Sequence, residues 1–182
     1  MNLYNKTIIK KWEIVGIFWI IIIGSLLHFT YEWSNKSLVV ALFSAVNESV
    51  WEHLKLGYWA LVFFILIEYW FLREFTQGFF LAKTIGILVM EIFIVIFFYS
   101  YIAIFKKPIL ILDVSSFIVG AILCQITSLK IMERNISKTT NKIGFAIFIL
   151  IGAILILFTF KTPHYDIFRD SNTGQYGIEE KQ

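Results

Sequence analysis

Two short runs hold most of the side chains in this chain that could do chemistry. Between Asn47 and Tyr58 the sequence Asn-Glu-Ser-Val-Trp-Glu-His-Leu-Lys-Leu-Gly-Tyr sets Glu48, Glu52, His53 and Lys55 at the head of a long apolar stretch. Earlier, His28 and Glu32 stand four apart near the end of another. That interval is about one helical turn, so His28 and Glu32 project from one face. At roughly 100° per residue, Glu48, Glu52 and Lys55 fall within an arc of about 60°, with His53 on the adjoining face. His28, Glu32, Glu48 and Glu52 together form a donor set for a divalent metal such as zinc, manganese or iron. The same set also reads as an acid–base pair, because crowded carboxylates raise one another's pKa. His53 and Asp113 are the candidate catalytic proton carriers. A third reading is structural, with Glu48 or Glu52 paired to Lys55 and the rest wetted at the headgroup level.

Composition decides what must position these groups. The 182 residues are 58% hydrophobic and only 16% charged, whereas a soluble domain is nearer 45–50% apolar and about 25% charged. The expected fold is all-α: an integral membrane bundle of five transmembrane helices with a short polar C-terminal tail, forming a single membrane domain over 1–182. Apolar runs place the spans at approximately 12–33, 48–72, 78–105, 109–131 and 143–160, with the tail at 161–182. Each is long enough for a ~30 Å hydrocarbon core, which takes about 20 helical residues. The first run is too long for a signal-peptide core, so it reads as an uncleaved span. Pro163 stops the fifth, and Tyr165, Phe168 and Tyr176 allow the tail to fold back on the bundle.

Topology then gathers the ionisable groups. With five spans, the end of the first, the start of the second, the start of the fourth and the tail share one side of the membrane. All three histidines lie there, with Glu32, Glu48, Glu52, Asp113, Asp166 and Asp170. Orientation rests on the basic residues. Nine of the sixteen, including Lys6, Lys10, Lys11, Lys130, Arg134, Lys138 and Lys142, fall on the N-terminal side, and seven, Lys181 among them, on the other. The N-terminus is therefore expected in the cytoplasm and the C-terminus outside. A net charge of +3 is too small and too dispersed for a nucleic-acid partner, and the expected partner is membrane lipid. Cys124 is the single cysteine and forms no disulfide within the chain. Within the spans, Glu68 is expected near the opposite interface, and Glu91, close to mid-membrane, needs a hydrogen-bonding partner such as Gln125 or must be protonated, a proton or cation path being its functional reading.

The runs His28-Phe29-Thr30-Tyr31-Glu32-Trp33 and Val46-Asn47-Glu48-Ser49-Val50-Trp51-Glu52-His53-Leu54-Lys55-Leu56 resemble a family of small bacterial membrane proteins of unknown function, DUF6512. Leu112-Asp113, Pro163-His164, Phe168-Arg169-Asp170 and Thr173-Gly174-Gln175-Tyr176-Gly177-Ile178 extend the resemblance over nearly the whole chain, with Tyr165-Asp166 departing from it. It implies a multi-pass protein of the bacterial plasma membrane and supplies no activity. In architecture alone the His/Glu set is also similar to the ceramidase-like membrane hydrolases, whose His-x-x-x-His motif is absent here. Three functions stay open: a metal-dependent membrane hydrolase acting on a lipid or amphiphile, a small transporter or ion-binding protein, and a structural or accessory protein.

Overall fold

The computed structural model describes residues 3–178, so Lys181 lies outside the described residues. Five helices follow one another: α1 (Leu3–Trp33), α2 (Val50–Leu72), α3 (Phe79–Phe105), α4 (Leu110–Met132) and α5 (Lys138–Phe160). All five are long and apolar enough to cross a membrane. Short 3-10 turns, Val40–Leu42 and Asp166–Phe168, punctuate the first loop and the tail.

The buried residues of α1 are Ile9, Glu13, Gly16, Ile20, Gly24, Leu27 and Tyr31. Steps of four and three residues keep that stripe on one face. Phe18, Ile22, Leu26 and Phe29 point outward and are exposed, as a lipid-facing surface requires. α2 is the central helix: 56% of its apolar window is buried, against 28% in each of the others. Small residues let backbones approach closely where no hydrophobic gain separates protein from lipid. A Cβ on Gly144 of α5 would stand 2.6 Å from the backbone of Leu81 on α3, and one on Gly86 would meet the Cys124 carbonyl at 2.7 Å. Beside these contacts, the Thr84 hydroxyl donates to the Gly144 carbonyl at 2.8 Å and the Tyr58 hydroxyl to the Phe148 carbonyl at 2.8 Å.

Three boundaries differ from expectation. α1 begins at Leu3, because nothing before Gly16 interrupts helix formation, and it is about 46 Å long at 1.5 Å per residue. α5 begins at Lys138, where the Ser137 side chain caps the Thr140 N–H. Most consequential, α2 begins at Val50. Ser49 is its N-cap and accepts from the Glu52 N–H, so Glu48 lies in the loop and is free of the helical register. That loop dips into the bundle, with Ala41 and Ser44 fully buried. The tail does fold back: Phe168 is buried and its ring packs 4.7 Å from that of Trp51.

Candidate metal centre

Ser49 builds the first half of the site. While its side chain caps α2, its carbonyl lies 2.8 Å from Nδ1 of His53, one turn on. A carbonyl only accepts, so Nδ1 carries the proton and the Nε2 lone pair of His53 is free to face the bundle. His28 on α1 answers it, the two Nε2 atoms lying 3.2 Å apart. Glu48, released from the helix, turns its Oε2 to 3.5 Å from each. His28, Glu48 and His53 thus form a partly exposed group whose three atoms could hold a metal ion.

The spacing can be compared with a metal directly. Bonds of about 2.0–2.1 Å at tetrahedral angles put ligand atoms roughly 3.3–3.4 Å apart. The observed sides are 3.2, 3.5 and 3.5 Å. Three such atoms leave one tetrahedral position open, as in zinc sites of the His₂Glu kind.

The tail holds Glu48 in place. Its backbone N–H donates to Asp170 Oδ2 at 2.9 Å, and its carbonyl accepts from the Ser171 N–H at 3.4 Å. Asn47 Nδ2 donates to the Gly177 carbonyl at 2.9 Å. Asp170 Oδ1 accepts from the Asn172 and Thr173 N–H groups, each at 2.7 Å. Burial pushes the Asp170 carboxyl up, but the N–H groups of Glu48, Thr173 and Asn172 outweigh it and hold it below its ordinary value. With the imidazoles protonated and no metal between them, the Glu48 carboxyl is held low, first by its hydrogen bond from His28 and then by the charges of His53 and His28, against partial burial and the Asp170 charge.

Other sequence candidates sit elsewhere. Glu32 is one turn beyond His28, exposed, with Lys36 Nζ 3.8 Å away. Glu52 faces away from His53 and is buried: its Oε2 lies 2.6 Å from Lys55 Nζ and its Oε1 accepts from the Thr159 hydroxyl at 2.7 Å. Asp113 lines the same cavity as His28, Glu48 and His53, and its Oδ1 accepts from the Tyr101 hydroxyl at 2.5 Å. That cavity has a volume of about 460 Å³. Beyond its polar mouth the walls are apolar, including Ile21, Ile94, Phe98, Phe117 and Ile118.

A family model described as a family of unknown function, DUF6512, matches residues 1–178. The chain belongs to this family. No curated protein and no solved structure matches it. The family supplies no activity, so the site must be read from its own geometry.

His53 stands here with the ligand atoms, a placement that sequence spacing did not give. The readable signal was Ser49-x-x-Glu52, a capping pattern that starts the helix after Glu48 and sets His53 one turn from the Ser49 carbonyl. The expected Glu91–Gln125 bond is absent. Gln125 Oε1 instead accepts from Lys83 at 3.3 Å, and Glu91 Oε1 has no hydrogen-bond partner among the described residues.

Proposed function

We propose that the chain is a metal-dependent membrane hydrolase acting on an amphiphile held in the bilayer, with its centre at the extracytoplasmic end. The observation that carries this reading is the triangle of His28 Nε2, His53 Nε2 and Glu48 Oε2, whose sides of 3.2, 3.5 and 3.5 Å match tetrahedral ligand spacing. A bound zinc, manganese or iron would acidify a water and polarise a carbonyl or phosphoryl oxygen.

The chain's own residues supply the rest. Asp113 is the carboxylate at the mouth that takes the proton released when water adds to the substrate and returns it to the leaving group. Tyr101 orients it. The apolar depth of the cavity suits an acyl chain, since a lipid headgroup and tail divide as the cavity does. Leu110, Val114 and Ile118 of α4 line it and are exposed on the lipid side, so a substrate can arrive laterally from the bilayer.

Metal analysis of the purified protein tests the reading. We expect about one divalent transition metal per chain, lost in His28→Ala and in His53→Ala while the helical fold persists. Metal content no higher in the wild type than in those variants would overturn it.

A further inference from the structure

The opposite end of the bundle holds a second polar cluster, drawn from four helices. Lys83 on α3 is fully buried. Its ammonium lies 2.9 Å from Glu13 Oε1 of α1, and 2.9 and 2.7 Å from Glu68 Oε1 and Oε2 of α2. Gln125 Oε1 of α4 is 3.3 Å away, and the Ser128 hydroxyl donates to Glu13 Oε1 at 2.8 Å. None of Glu13, Glu68, Gln125 and Ser128 is more than 2% exposed.

Charge does not close in this cluster. Two ionised carboxylates and one ammonium leave one negative charge among buried side chains, where an uncompensated ion is costly. Nothing nearby offsets it. Of the other charged groups on the packed helices at this end, Lys6, Lys10, Lys11, Lys130, Lys138 and Lys142 are all exposed. The remaining titratable neighbours are the buried Cys124 thiol of α4, in the field of all three charges, and Glu91 of α3. Neither supplies a cation. Three atoms of the cluster, Glu13 Oε2, Glu68 Oε2 and Gln125 Nε2, are buried with no hydrogen-bond partner among the described residues, but of the two carboxylate oxygens only Glu68 Oε2 stands in ion contact with Lys83, at 2.7 Å.

We infer that the Glu13–Lys83–Glu68 cluster is a binding site for one exchangeable proton, carried on Glu13. Glu68 uses both oxygens on Lys83, so protonating either weakens an ion contact. Glu13 contacts Lys83 through Oε1 alone, so Oε2 can take the proton while Oε1 still accepts from the ammonium and from Ser128. Loading this site neutralises the cluster, and unloading it restores one buried negative charge. The bundle therefore has a proton-loaded and a proton-free form, set at the end remote from the histidines.

Infrared spectroscopy of the full chain in lipid vesicles reads this directly. A Glu91→Gln background removes the remaining buried carboxyl of the spans that has no cation beside it, Glu52 being paired with Lys55. We expect one protonated-carboxyl band at neutral pH that shifts in heavy water, disappears in Glu13→Gln and roughly doubles in Lys83→Met. Glu13→Gln, which copies the neutral acid, should melt within a few degrees of its parent. No exchangeable band at neutral pH would overturn the inference, as would a band that survives Glu13→Gln. Should Glu13→Gln fail to fold, Glu68→Gln assigns the band instead: its loss from folded Glu68→Gln with Glu13 intact would overturn the placement on Glu13.

Discussion

Lys55→Met gives the sharpest test of how Glu52 is used. The three ammonium hydrogens of Lys55 have three acceptors: Glu52 Oε2 at 2.6 Å, the Ala41 carbonyl at 2.8 Å and Thr159 Oγ1 at 2.9 Å. Methionine keeps the unbranched apolar stem, one atom shorter, but none of these bonds. Glu52, whose side chain is 3% exposed, would keep only neutral donors, the Thr159 hydroxyl and the Val46 N–H. Stranding one member of a buried pair costs about 3–5 kcal/mol, whereas removing both charges is often near neutral. The single variant should therefore lose about that much in unfolding experiments in mixed micelles, followed by helical circular dichroism. Glu52→Gln/Lys55→Met should recover most of it. Metal content of the folded double variant should equal that of the wild type. A Lys55→Met cost below about 1 kcal/mol would refute the energetic argument, since a stranded buried ion should exceed that. Metal lost from the folded double variant would refute the separation of Glu52 from the His28–Glu48–His53 group.

Three further outcomes are expected. Asp170→Ala should weaken metal binding by about 10–100-fold, as loss of a supporting partner does, and titration of the metal-free protein would show it. The folded Asp170 carboxyl sits below its ordinary value of 3.8, so its stabilisation is complete above that pH and is lost as pH falls through the lower folded value; Trp51 fluorescence, which senses Phe168, should stay constant above pH 3.8 and change below it. Gly144→Ala should destabilise the bundle by about 1–3 kcal/mol in the same unfolding assay, because the new methyl would press on the Leu81 backbone at 2.6 Å.

The five helices were legible because each is a run long enough to cross hydrocarbon, and lipid leaves the backbone no alternative to a helix. One-sidedness of the histidines was legible too, since it follows from counting crossings. Which side chains meet was not. Lipid-facing and core-facing surfaces are equally apolar, so periodicity gives little account of which way Lys83 or Glu68 turns. The arc drawn through Glu48 and Glu52 assumed one helix, and Ser49 broke it by capping the helix between them. Glu32 shared a face with His28 but lay one turn too far along to join it.

Because α2 carries His53 near its first residue and Glu68 near its last, it behaves as a single shaft about 34 Å long. No proline interrupts it and no residue in it has positive φ. His53 at its head and Glu68 at its foot are therefore held at a fixed rotation to one another by a single uninterrupted helix, and any rigid-body turn of that helix would move both.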